Sequence, residues 1–299
     1  MKLTKLILSA VLLLGVSYAC NGASEKSSEM KSAEIVKKAK KGQPVNIEGQ
    51  TIVDALNLTE MGEDGVCGRR LTFSNCTFAG DVTASEGTTF NGAVTFTDCI
   101  FKGKVVVKQT TYNAPLTLNN CGVSGEADFS GATFNAGAAL NKSNFEKQVM
   151  FVSSTFRGRT GMVGVTFSGD VIFQYAGFEN MVMLTDSKFG GYTDFSKARF
   201  DDQTDFTNCK FFGRTLFQSV RCLSALQMAK SEFMDQVTFT QSLFLGKFSL
   251  VNAQFAGLLI VTENVFARKP DFTLMKKGKD FAYEQEGNKL IPETEIKIE

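Results

Sequence analysis

The chain has 299 residues, a formal net charge of +1, 28 Phe and 27 Gly, with no His and no Trp. The lack of His excludes Ser-His and Cys-His catalytic pairs and every His-ligated metal site. Near-neutral charge, which loss of a leader carrying Lys2 and Lys5 would only make slightly acidic, leaves no electrostatic footprint for nucleic acid.

Residues 1–19 open with two lysines and an apolar run from Leu6 to Val16. The run is too short for a comfortable membrane span and reads as a signal peptide. Its ending, Ser17-Tyr18-Ala19-Cys20, resembles the lipobox of bacterial lipoproteins. The resemblance implies cleavage before Cys20, lipidation of Cys20, and a membrane-anchored protein of the bacterial cell envelope, with the outer membrane favoured. Several acyl chains give lasting attachment where one is marginal. The alternative is an ordinary secretory signal cut near Ala19.

Residues 20–31 are polar and read as a flexible tether. Residues 32–58 read as an N-terminal cap. "SAEIVKKAKKGQ" suits a short helix with Ser32 as N-cap, Gly42 as terminator and Ile35, Val36 and Ala39 on one apolar face. "VNIEGQTIVDALNL" then alternates like one or two strands. Such a cap would cover exposed strand edges at the end of a solenoid.

Residues 59–272 carry a repeat. Stepping by eleven from Phe101 reads Phe101, Tyr112, Val123, Phe134, Phe145 and Phe156, and continues apolar to Phe266. A second column runs unbroken from Phe96 to Phe272. A period held this long marks a repeat architecture. Two residues before the members of the first column stands a mostly small side chain, as at Cys99, Ser143 and Ala176, so inward positions alternate as on a strand. Gly often follows, as at Gly103, Gly125 and Gly169, where a corner is expected. A helical coiled coil does not fit. Columns five residues apart lie about 140° apart around an α-helix and cannot make one stripe.

The second column shows that eleven is half a coil. Alternate members Phe129, Phe151, Phe173, Phe195, Phe217 and Phe239 are all Phe, whereas Leu118, Leu140, Met162 and Leu184 interleave them. With 22 residues per coil the two sets occupy different walls, and bulky rings face slimmer side chains. At this point "FSNCTF", "FTDCIF", "FSGATF", "FSKARF" and "FTNCKF" resemble the pentapeptide-repeat family, with a sixth residue inserted in every second unit. The resemblance implies an all-β, right-handed quadrilateral β-helix with no general catalytic motif.

Cys76, Cys99 and Cys121 should stack in neighbouring coils, the extra residue after Cys76 restoring the register. They read as a column of small buried side chains, or alternatively as a redox or metal ladder. Asp201, Asp202 and Asp205 could serve calcium or a polysaccharide, but their one-coil neighbours are not acidic, which favours a solvated turn. Lys188, Arg199, Lys210 and Arg221 stack in pairs on two different sides and read as an ordinary charged surface.

Just after the first column, outward positions turn apolar at Phe212, Leu223, Met234 and Leu245. Either a partner or residues 273–299, read as a C-terminal tail or cap, should cover them. The functional expectation is a non-catalytic envelope lipoprotein acting as a β-helical scaffold or protein-interaction module, with no cofactor. Its expected partners are the membrane through Cys20 and, through the C-terminal coils, a homodimer mate or another envelope protein. The alternative is a β-helix that binds or cleaves glycans.

Overall fold

The computed structural model describes residues 28–292. The signal peptide, the lipobox and Cys20 lie outside the described residues.

The chain winds into a parallel β-solenoid with four sheets, of 10, 12, 11 and 11 strands in the order a coil visits them. These sheets are faces 1 to 4 below. Leu71–Ser74, Thr77–Phe78, Val82–Thr83 and Thr89–Phe90 are one coil's strands on faces 1, 2, 3 and 4. Each strand pairs with its equivalent one coil away: Phe96 opposes Leu118, Phe101 opposes Val123 and Val105 opposes Ala127. The coil therefore takes 22 residues, the separation of the side-chain pairs that bridge neighbouring coils. Phe73 opposes Phe96, so the preceding coil absorbs one extra residue, at a corner where Gly87 has φ +81°.

The interior follows the two columns. Phe129, Phe151, Phe173, Phe195, Phe217 and Phe239 are buried along face 3, and Leu118, Leu140, Met162 and Leu184 are buried along face 1. Rings on one face lie nearly parallel, with Phe173 and Phe195 centroids 4.8 Å apart at an interplanar angle of 3°. This is the coil repeat imposed on aromatic rings by β-sheet spacing.

The small column has a second task besides leaving room. Ser143, Ser187 and Ser231 on face 2 donate their hydroxyls at 2.6 Å to the carbonyls of Leu118, Met162 and Phe206. The Ser143 and Ser187 oxygens also accept from the backbone N–H of Cys121 and Val165 at 3.0 Å. These bonds satisfy corner groups that the short strands leave over.

The corners divide into two kinds, and glycine serves a different purpose from the one its frequency suggests. Between faces 1 and 2, Asp98, Asn120, Asp186 and Asn208 hold φ between +53° and +61°. Asn and Asp tolerate this left-handed region better than most side chains. Their side chains also stack, the Asn208 Nδ2 donating to Asp186 Oδ1 at 2.6 Å. At the corners after face 2, Gly125 does not have positive φ. A Cβ there would lie 2.3 Å from the carbonyl oxygen of Gly103 in the coil below. Glycine is needed for close backbone approach.

Both ends differ from their expected boundaries. Ser28–Met30, inside the expected tether, is a strand paired with Gln50–Ile52. Val45–Glu48 and Leu56–Asn57 already pair with Leu71–Ser74 and Val82–Thr83, so the solenoid begins inside the expected cap. The helix spans Ser32–Lys40 and buries Ile35, Val36 and Ala39. Its N-cap is Lys31, not Ser32. The N–H of Ser32 is instead satisfied by Asp54 Oδ1 at 2.7 Å, which does the work of a capping side chain from the bend after Gln50–Ile52.

The expected tail adds a coil. Lys276–Lys277, Ala282–Glu286 and Lys289–Leu290 continue faces 2, 3 and 4. Lys277 and Gln285 stand where earlier coils have apolar columns, opposite Phe255 and Val261.

Candidate interaction surface

Face 2 brings Phe212 and Met234 side by side in successive coils. Each follows an inward Phe, so strand alternation turns it outward. The Phe212 N–H bonds the Phe189 carbonyl and the Met234 N–H bonds the Phe211 carbonyl, both at 2.8 Å, which fixes their stacking. Phe212 is 47% exposed and Met234 42%. The described part of the C-terminal segment, to residue 292, continues the coil stack at the end of the rod and does not cover them. Beside them Lys210 and Glu232 form an ion pair at 3.0 Å.

Leu223 and Leu245 are on face 4, as their spacing requires, but the structure corrects their exposure. Leu245 is buried at 4% and Leu223 is half-buried. Threonine ladders line parts of the outward rows, Thr72, Thr95 and Thr117 on face 1 and Thr89, Thr111, Thr133 and Thr155 on face 4, and apolar side chains are exposed singly at Val66, Ile100 and Met183. Phe212 and Met234 differ from these in standing next to each other in successive coils.

The acidic group does not converge. Asp201 is tied to the Arg199 guanidinium, which is itself held in its charged form by that contact. Asp202 Oδ1 accepts from its neighbour Gln203 N–H at 2.7 Å, and Asp205 Oδ1 from Thr207 N–H at 2.8 Å. Asp205 lies in register with Met183 and Gln227. Among the described residues no group of three His, Cys, Asp or Glu is placed to hold a metal ion. Lys188 and Lys210 stack on face 2, and Arg199 and Arg221 on face 4, on the two sides expected.

Six cysteines of the solenoid are free and buried. Cys99 Sγ reaches the Phe73 carbonyl at 3.4 Å and Cys121 Sγ reaches the Phe96 carbonyl at 3.5 Å. These are the contacts that serine makes further along, so the thiols act as small hydrogen-bonding fillers. Contact with Cys121 and burial push the Cys99 thiol up to about 12, and burial pushes Cys209 up to about 12. Thiols so disfavoured as thiolates are poor nucleophiles and poor metal ligands.

Sequence reasoning missed Asp194, on the outer side of face 3 yet only 2% exposed. Its carboxylate accepts from Tyr192 Oη at 2.8 Å, Gln174 Nε2 at 2.7 Å and the Ser196 N–H at 2.7 Å. Burial first, and then this bond, push the Tyr192 phenol up to about 12. Nothing in the repeat distinguishes position 194 from other outward sites, so no sequence signal marks it. Among the described residues no buried side-chain nitrogen or oxygen lacks a partner.

At the N-terminal end a pocket of about 360 Å³ lies between Lys40 of the helix and Glu63 and Arg69 of the first coils. Its charges are of both signs, and it holds no convergent catalytic set.

Comparison with family models, curated proteins and solved structures finds no match for this chain.

Proposed function

We propose that the chain is a membrane-anchored lipoprotein of the bacterial envelope, of pentapeptide-repeat type, whose rod is a non-catalytic scaffold presenting one protein-contact surface. The observation that carries this reading is the exposed Phe212–Met234 pair, two large apolar side chains set side by side in successive coils of face 2. Exposed apolar groups set side by side mark contact sites more often than scattered ones do. The lipobox-like Ser17-Tyr18-Ala19-Cys20 supports anchoring through Cys20, and the polar stretch after it would hold the rod off the bilayer.

Two measurements test the reading. Fractionation with mass spectrometry of the mature N-terminus should find an acylated Cys20 in the envelope. A soluble protein with an unmodified N-terminus would remove the anchor. Capture from envelope extract should yield a retained protein that is lost with Phe212→Asp or Met234→Asp. Equal capture by both variants would remove the surface, and binding on a glycan array that both variants keep would replace it with a glycan-binding role.

A further inference from the structure

The outward rows of face 2 read almost symmetrically about a point midway between the Phe212 and Met234 coils. One row runs Gly190, Phe212, Met234, Ala256: small, large, large, small. The row beside it runs Lys188, Lys210, Glu232, Gln254, in register coil by coil. Lys210 and Glu232 keep 41% and 24% of their side chains exposed, so each can still meet a second partner.

We propose that face 2 is a self-complementary surface on which a second copy of this chain packs antiparallel. The twofold axis runs along the strand direction between the two coils. This operation sets each row against its own reverse. Phe212 of one copy meets Met234 of the other, and Gly190 meets Ala256, which lets the faces approach closely. Lys210 of one copy meets Glu232 of the other, twice over by symmetry. Isologous contacts of this kind are the commonest in homo-oligomers.

The same rows disfavour a parallel arrangement about an axis midway between them. Rotation about the rod axis would set the lysine row on the Phe212–Met234 row and bury ammonium groups against apolar side chains. Antiparallel copies overlap through the six C-terminal strands of face 2, roughly 30 Å of rod at β-sheet spacing. Their N-termini then point away from each other, about 80 Å apart along the axis.

This assignment rests on the contact-surface reading above and names its occupant. Charge exchange tests it with the full chain in mild detergent, read by capture of an untagged copy by a tagged one. Lys210→Glu should fail to capture itself, and Glu232→Lys should fail to capture itself, each with self-association at least about tenfold weaker because like charges now face each other. A tagged Lys210→Glu chain should capture an untagged Glu232→Lys chain at the wild-type level. The coil-to-coil ion pair within each chain is broken in both variants, so only a contact between antiparallel copies restores binding in the mixture. Self-capture by either variant, a wild-type chain that stays monomeric, or a mixture that does not pair overturns the proposal. A monomer that still captures another envelope protein through Phe212 would leave the broader reading standing while sinking this one.

Discussion

Phe151 and Phe173 lie one coil apart on face 3, with ring centroids 4.8 Å apart and planes within 5° of parallel. Both are buried, and their ring contacts are with Phe rings of adjacent coils on the same face and of the neighbouring wall. Phe173→Ala should cost about 3–5 kcal/mol in guanidinium unfolding, and Phe173→Leu far less, because it keeps most of the volume. Hydrogen exchange should report faster opening in the coils next to residue 173 and little change at Phe73, since solenoid coils contact only their neighbours. A uniform loss of protection along the chain would contradict this.

The two kinds of corner make opposite predictions for glycine. Gly125→Ala puts a methyl carbon 2.3 Å from a backbone oxygen that has no freedom to withdraw, and should destabilise by about 1–3 kcal/mol. Gly164 has φ +65° and open space around its Cα, with the nearest atom, in the Lys142 side chain, 3.9 Å from a built Cβ. Gly164→Asn should fall within about 0.5 kcal/mol of wild type, as Asn serves the equivalent corner at Asn120 and Asn208. Thermal unfolding of the two variants side by side checks the contrast.

The buried thiols set an alkaline limit. Cys99 and Cys209 are held near 12, against an ordinary value of 9.0 that the unfolded chain recovers. A raised folded value means that the stabilising difference is complete below pH 9 and is lost as pH climbs from there toward 12. Stability should therefore decline above pH 9, and Cys99→Ser should shallow that decline. In the native state at pH 8 the solenoid thiols should resist a thiol-specific dye and react only after denaturant. Rapid native labelling would contradict the burial.

An acid limit sits at the helix cap. The N–H of Ser32 holds the Asp54 carboxyl below its ordinary 3.8. A depressed folded value gives stability that is present above 3.8 and disappears as pH falls through the lower folded value. Asp54→Asn should remove this acid dependence from helix unfolding, seen as flatter protection of the Ser32–Lys40 amides between pH 5 and 3. Unchanged pH dependence would show that Asp54 does not hold the helix.

The winding was legible because two columns of large side chains kept one register and alternated between Phe and Leu or Met. Only inward positions on two pairs of walls could explain both facts. The stacked cysteines followed from the same arithmetic. The corners were less legible: Asn, Asp, Lys and Ser at left-handed positions look like ordinary surface residues, and glycine count alone does not separate positive φ from close approach. The last coil was hidden because Lys277 and Gln285 break the apolar column while the backbone continues to pair. On the candidate surface, Phe212 and Met234 were readable from alternation, whereas the burial of Leu245 depends on packing that a periodic reading does not contain.

Among the described residues the strand-to-strand hydrogen bonds between coils run along the long axis, because all four sheets stack their strands in that direction. Tension applied at one end of such a filament does not load the bonds in shear. It opens them a few at a time, as a zipper does, starting with the terminal turn under the Ser32–Lys40 plug. Each yielded turn would release 22 residues, about 70 Å of contour, so a force–extension trace should show a sawtooth of evenly spaced, low-force steps. A rod built this way would lengthen under load in steps of one coil.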